Sequence, residues 1–185
     1  MNEIESLIQA YEQFVRIPWD PSLAGPQKVW FAIYDPTNER RLRLRIDEFE
    51  GATKRANHEW RLIDITDSFS QWMANHEYRE AYFKNPDDMG LALDDYAQYL
   101  IQLIQTELTA TNVTGNTVVS ISGIGSLFGL ISASSLLEKI APSIKGRLLV
   151  FFPGQRDGSN YRLLDARDGW NYLAVPISAN DGRNQ

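Results

Sequence analysis

Cysteine is missing from this 185-residue chain, and histidine occurs only as His58 and His76. Without thiols the chain can form no disulfide framework, no thiolate zinc or iron–sulfur site and no cysteine nucleophile. Two histidines leave little for imidazole acid–base chemistry or metal ligation. The acidic pairs Asp87–Asp88 and Asp94–Asp95 lack the alternating oxygen ligands of a calcium-binding loop. We therefore expect no bound metal and no cofactor.

Positive charge is also scarce, because 18 basic residues stand against 24 acidic ones and the formal net charge is −6 at pH 7. Proteins that bind duplex nucleic acid normally present a basic surface, since Lys and Arg neutralise the phosphates. Four arginines cluster in residues 40–45, but residues 38–56 also contain four acidic side chains, which favours a salt-bridged helix surface. Direct nucleic-acid binding is therefore not expected.

Long hydrophobic runs are absent as well. The longest mainly apolar stretch, residues 118–137, contains six serines and three glycines, whereas a membrane-spanning helix needs about 20 mostly apolar residues. The first residues have neither the basic start nor the apolar run of a signal peptide. We expect a cytoplasmic protein that does not associate with membranes.

The alternation of helical and strand patterns predicts an α/β fold, in one domain over residues 1–185. A helix is expected over 2–16, Trp19 is expected to hold the following loop to the core, and the polar tail 178–185 is expected to fray. Strands are predicted at 28–34, 60–65, 117–122, 147–152, 161–164 and 172–177. Helices are predicted over 38–56, in two short pieces up to residue 83, over 91–108 and over 127–140.

The length of the first strand–helix–strand unit favours a parallel pair of neighbouring strands, and hence a mainly parallel sheet flanked by helices. Short strands near the C-terminus would close this sheet. Pro153–Gly154 is expected to end the fourth strand, because proline cannot donate a hydrogen bond to a neighbouring strand.

A glycine-rich turn at residues 123–129 follows a predicted strand and precedes a predicted helix. Such a turn can present backbone N–H groups to a phosphate. Its spacing is G-x-G-x-x-x-G rather than G-x-G-x-x-G, and no acidic residue ends the next strand to hold a ribose. A tight structural turn is the favoured interpretation, and a nucleotide- or dinucleotide-binding enzyme is the alternative.

Other catalytic motifs are not found. The chain contains no Gly–Lys pair, so it has no P-loop with which to hydrolyse ATP. Ser126 does not stand in a G-x-S-x-G turn, and both histidines precede it, which disfavours a serine triad. We predict no catalytic residue.

Residues 67–98 are acidic and aromatic, with seven acidic residues against two basic ones, a segment charge of −5. Helices packed over the sheet are the simplest interpretation, but exposed aromatic residues ringed by charge also suit an interface. Tyr161 and Arg162 are further contact candidates, since both types are frequent in binding hot spots, although a half-buried strand at a sheet edge explains them equally well. The candidate partner-binding residues are Trp72, Tyr78, Tyr82, Asp87, Asp88, Asp94, Asp95, Tyr161 and Arg162.

The most characteristic sequence motifs lie in the C-terminal third of the chain. It comprises Gly125–Phe128 (GSLF), Ser134–Leu137 (SSLL), Arg147–Gly154 (RLLVFFPG), Asp157–Gly158 and Tyr161–Leu164 (YRLL). This order resembles the BrxB family, small components of bacteriophage exclusion (BREX) defence systems, and the resemblance extends over about residues 28–177. Where the sequence departs from the family pattern, for example at Phe152 in place of tyrosine, it keeps the aromatic bulk.

By analogy of fold, we expect a sheet like that of P-loop NTPases but without the phosphate-binding loop. The resemblance implies a phage-defence role without an established catalytic activity, and a larger partner, the PglZ-type protein of the same system. The function expected from it is a non-enzymatic adaptor. A homodimer is left open.

Overall fold

The computed structural model describes residues 1–166 and 169–181. The strands are β1 (Val29–Tyr34), β2 (Glu59–Asp64), β3 (Thr117–Ser122), β4 (Arg147–Asp157), β5 (Asn160–Leu163), β6 (Trp170–Asn171) and β7 (Val175–Ile177). The helices are α1 (Glu3–Val15), α2 (Glu39–Arg43), α3 (Ile46–Arg55), α4 (Ser68–Ala74), α5 (Arg79–Lys84), α6 (Gly90–Leu108) and α7 (Ala133–Ile140). Residues 182–185 of the tail that was predicted to fray lie outside the described part.

Five strands pair in parallel in the order β2-β3-β4-β1-β7, and the second half of β4 pairs antiparallel with β5, which in turn pairs with β6. The sheet is therefore mixed. The expected pairing of the first two strands is wrong, because β3 and β4 lie between β1 and β2. Burial along the strands agrees with this order, since β1 is almost wholly buried whereas β2, at the edge, has exposed positions.

Helices cover both faces of the sheet. On one face α1 and α3 pack over Trp30 and Ala32, and the Tyr11 hydroxyl lies 2.6 Å from the Thr53 hydroxyl, which ties the two helices together. On the other face α6 and α7 pack over Phe31 and its neighbours. Alternate residues of β1 thus serve two cores, as the two-residue period of a strand requires. Among the described residues, no helix combines the length and apolar character needed to cross a bilayer.

The helix predicted over 38–56 is two helices, α2 and α3. Arg45 leaves helical geometry between them, with φ −126° and ψ 16°. Its guanidinium lies 2.9 Å from a carboxylate oxygen of Glu48 and 3.2 Å from one of Glu5 in α1. These ion pairs fix the junction between α2 and α3 next to α1. The residue pattern of 38–56 alone cannot predict a contact with α1.

The helix predicted over 127–140 begins only at Ala133. The preceding 3₁₀ turn ends at Leu127, because Phe128 leaves helical geometry with ψ 126°, and Gly129 follows with a left-handed φ of +76°. The Ser132 side chain then accepts a hydrogen bond from the Ser135 amide and so caps α7. The serine-rich stretch is therefore a loop with a helix cap at its end.

The expected stop at Pro153–Gly154 is also wrong, because β4 continues to Asp157. Up to Pro153 the strand pairs with β1, and from Gly154 it pairs with β5. The proline lies where the strand changes partners, and its carbonyl accepts a hydrogen bond from the Leu164 amide at 2.8 Å. A β-carbon at Gly154 would lie 2.1 Å from the Arg162 carbonyl oxygen, so the hairpin needs glycine there.

Candidate partner-binding surface

The acidic, aromatic segment begins in the core. Tyr96 of α6 is fully buried, and its hydroxyl lies 2.7 Å from that of Ser68 at the start of α4. The ring centroids of Phe69 and Trp72 lie 5.2 and 5.4 Å from that of Tyr96. Burial raises the pKa of the Tyr96 hydroxyl above its ordinary value. These contacts fix α4 against α6.

From Trp72 a series of rings leads outward to the surface. The Trp72 centroid lies 4.8 Å from that of His76, which in turn lies 5.3 Å from Tyr82 and 6.1 Å from Tyr78. Exposure rises along the series from the buried Tyr96 to Tyr78, which is 58% exposed. We call Tyr96, Trp72, His76, Tyr82 and Tyr78 the aromatic ladder. It connects the outermost part of the segment to the core.

Beyond the ladder, the segment exposes large apolar side chains. No residue of the six-residue helix α5 is buried, and Phe83 at its end is 68% exposed. Leu91, near the start of α6, is 87% exposed. Single exposed apolar residues are ordinary, but three within residues 78–91 make this segment a candidate interaction site. We call the following set the acidic apolar surface: Tyr78, Phe83, Leu91, Asp87, Asp88, Asp94 and Asp95.

All four predicted aspartates and Tyr78 lie exposed, whereas Trp72 and Tyr82 are partly buried within the aromatic ladder. Phe83 and Leu91 were not among the predicted contact residues, since apolar residues of a helix are expected to face the core. The break at Asn85–Pro86 offered a signal, because it isolates a helix too short to bury a continuous apolar face.

The prediction for Tyr161 is wrong, because this side chain belongs to the core. Tyr161 is 1% exposed, its hydroxyl donates to the Ala174 carbonyl at 2.7 Å, and its ring packs edge-on against Phe31. Arg162, its neighbour on β5, is partly buried, and its Nε has no hydrogen-bond partner among the described residues. Arg162 stays a predicted contact residue.

The glycine-rich turn packs tightly against the loop after β2. Gly123 has a left-handed φ of +88°, and a β-carbon there would lie 2.4 Å from the Thr66 hydroxyl oxygen. The Ser126 and Phe128 amides donate to carbonyls of Gly123 and Gly125 within the same turn. Two of the backbone N–H groups that could bind a phosphate therefore already donate hydrogen bonds within the turn, as expected for a purely structural turn.

A cavity of about 350 Å³ lies beside this turn, and Arg43 of α2 lines it. The Arg43 guanidinium lies 3.0 Å from a Glu39 carboxylate oxygen and 3.3 Å from one of Asp64 at the end of β2. Partial burial raises the pKa of Asp64, but hydrogen bonds from Thr66 and Arg43 outweigh it, so the pKa lies below its ordinary value. A phosphate bound here would compete with two carboxylates for one guanidinium.

A further cavity, of about 900 Å³, lies at the carboxyl ends of β1 and β7. Its carboxylates serve local structure. Glu3 accepts hydrogen bonds from the Asp35 amide and the Asn38 side chain, and Asp35 accepts from Thr37. Within residues 1–166 and 169–181, no group of three or more metal-ligating side chains comes together.

Comparison with known proteins shows the family of the chain. The model of the family described as BREX protein BrxB matches residues 62–177, a range that runs from β2 to the end of β7. No curated protein and no solved structure matches the chain, so the expected likeness to P-loop NTPases stays a prediction. The match covers more than half of the chain and includes the acidic apolar surface, the glycine-rich turn and the β4–β5 hairpin. The chain therefore belongs to the BrxB family and is a component of a BREX defence system.

Proposed function

We propose that this chain is a non-enzymatic adaptor that binds a larger partner, the PglZ-type protein of its BREX system, through the acidic apolar surface. The observation that carries this proposal is α5, a helix without a buried residue, together with the exposed Phe83 and Leu91 that flank Asp87 and Asp88. Complete burial of such a side chain is worth about 1.5–3 kcal/mol. The surface gains that free energy only when a partner covers it.

The acidic residues around these apolar side chains define the partner's chemistry. Apolar contacts at the centre of an interface supply most of the affinity, while charges at the rim select the partner and accelerate the encounter. A partner surface rich in Lys and Arg would match the four exposed aspartates. Elsewhere, Arg43 pairs with Glu39 and Asp64, which counts against phosphate chemistry at the glycine-rich turn.

The test is co-expression with the PglZ-type protein of the same operon, followed by size-exclusion chromatography with light scattering. We expect one complex of defined stoichiometry. Phe83→Ala combined with Leu91→Ala should weaken the complex, whereas Leu44→Ala combined with Ile17→Ala is the matched control, since these two residues are also exposed but lie outside the surface. Two separate peaks for the wild-type proteins over a range of salt concentrations would contradict the proposal.

A further inference from the structure

A second apolar feature, a groove of about 320 Å³, lies between α6 and the loop and helix at residues 130–139. Most of its apolar lining is only half-buried. The apolar side chains that line it are Leu93, Ala97, Ile101, Leu130, Ile131 and Leu136. The two helices contact each other where the Gln105 side-chain amide donates to the Lys139 carbonyl at 3.3 Å. The groove is therefore a fixed feature of the packing of α6 and α7.

The charges along the groove are asymmetric. Asp94 lines it on α6, with Asp95 exposed beside it in the sequence, and Lys139 lines it on α7. Asp94 also belongs to the acidic apolar surface, and Leu91 stands three residues before it. The groove is thus continuous with the surface assigned to the partner, and it presents a negative charge where the two meet.

The dimensions of the groove limit what it can hold. The α6 residues that line it extend from Leu93 to Ile101, which is about 12 Å of helix at 1.5 Å per residue. A guest helix of the same length makes about two turns and places apolar side chains at positions i, i+4 and i+7 along one stripe. Two or three apolar anchors therefore fit the groove.

The backbone chemistry of the walls favours a helix over an extended peptide. An extended segment needs partners for its N–H and C=O groups, and a sheet edge normally provides them. Over Leu93–Ile101 the wall is the interior of α6, whose backbone groups bond within the helix. A helical guest satisfies its own backbone hydrogen-bonding groups, so the groove needs to provide only apolar contacts.

We propose that this groove binds an amphipathic helix of the partner, with its apolar stripe between α6 and α7 and a Lys or Arg of the helix against Asp94. The inference rests on the proposed function and adds the kind of element that the partner presents. It also predicts the order of charges along that helix, because an acidic residue about two turns from the basic one would meet Lys139.

Two variants of α6 test the groove. Ala97→Trp fills it with a large side chain, and Thr106→Trp, on the exposed side of the same helix, is the matched control. We expect Ala97→Trp to weaken the complex with the PglZ-type protein about tenfold or more, as the loss of a hot-spot contact does, and Thr106→Trp to leave it unchanged. Thermal unfolding of both variants, without the partner, checks that they fold.

The photo-reactive residue p-benzoylphenylalanine, placed at position 98 on the exposed rim of the groove or at position 83, identifies what lies there in the complex. From position 98 we expect a cross-link to a partner segment with apolar residues at i, i+4 and i+7 and at least one Lys or Arg. A complex that tolerates Ala97→Trp and cross-links only from position 83 overturns the helix inference and leaves the proposed function in place. A cross-link from position 98 to a second copy of this chain also overturns the inference. Absence of a wild-type complex overturns both.

Discussion

The indole ring of Trp19 lies flat on the imidazole of His58, with the ring centroids 3.7 Å apart and the planes 8° from parallel. The Arg147 guanidinium carbon lies 5.0 Å from the centre of the same indole, and Trp30 meets it edge-on. Trp19 thus holds its loop to the start of β2 and to β4, and its predicted attachment to the core is confirmed. His58 in turn lies 2.6 Å from the Asn116 side chain before β3.

We expect Trp19 and His58 to be energetically coupled. Aromatic pairs contribute about 0.5–1.5 kcal/mol beyond the area that they bury. A double-mutant cycle of Trp19→Ala and His58→Ala, measured by chemical denaturation, should give a coupling free energy in this range. Additive effects of the two substitutions would mean that the stacked geometry contributes nothing of its own.

Gly123→Ala should destabilise the fold clearly. The new β-carbon would lie within 3 Å of three Thr66 atoms, and the backbone φ of +88° disfavours any residue with a side chain. Overpacking of this kind costs about 1–3 kcal/mol, to which the strain adds. Gly129→Ala is the control, because Gly129 also has a positive φ but no atom within 4 Å of the new β-carbon. Equal losses of unfolding free energy for the two variants would show that the contact with Thr66 is unimportant.

Reversal of Asp94 and Asp95 to Lys should weaken the complex with the PglZ-type partner and leave the fold intact, because both carboxylates are exposed. Rim charges act mainly on the association rate, so the loss should be largest at low salt and shrink as salt screens the charges. Surface plasmon resonance at several salt concentrations measures this. Unchanged association rates at low salt would remove these aspartates from the interface.

Tyr172 should make stability fall at high pH. Burial, with a further contribution from the charge of Glu138, raises the pKa of Tyr172 to about 12, above its unfolded value of about 10. The unfolded chain therefore loses this proton first. The stabilisation is complete below pH 10 and is lost as the pH rises towards 12.

Tyr172→Phe should flatten this dependence of the unfolding free energy on pH. Part of the slope should remain, because burial also raises the pKa of Tyr11 and Tyr34. The Tyr172 hydroxyl has no hydrogen-bond partner among the described residues, so the variant should lose no stability at neutral pH. Denaturant titrations from pH 7 to pH 12 measure both effects, with Tyr78→Phe at an exposed position as the matched control. An unchanged slope would contradict the assignment.

Local pattern was sufficient for much of the secondary structure. The strand at Thr117–Ser122 has the predicted bounds, and α6 starts one residue before its predicted position. Strand order was not predictable in the same way, because the pairing of β1 with β4 depends on residues distant in sequence. The extension of β4 through Pro153 likewise depends on the change of its partner strand from β1 to β5. The residue pattern within β4 alone carries no information about that change.

Exposure at the candidate surface was predicted for the charged residues and missed for some apolar ones. An aspartate is rarely buried without a partner, so Asp87 and Asp94 could be placed outside from residue type alone. Tyr161, a predicted contact residue, is buried, whereas Phe83, which was not among the predicted contact residues, is exposed. The hydroxyl of Tyr161 is held by the Ala174 carbonyl, while Phe83 lies on a six-residue helix that has no buried residue.

The position of β1 in the sheet has a consequence for synthesis on the ribosome. Both strands that border β1, namely β4 and β7, emerge more than a hundred residues after it. Until then an almost wholly apolar strand has no hydrogen-bonded neighbour, although α1 and α3 can already cover one of its faces. The sheet therefore closes late, through contacts between residues far apart in sequence. Folding through such contacts is slow and leaves strand edges exposed until the sheet is complete. A nascent chain that stalls before residue 147 presents β1 with both edges open.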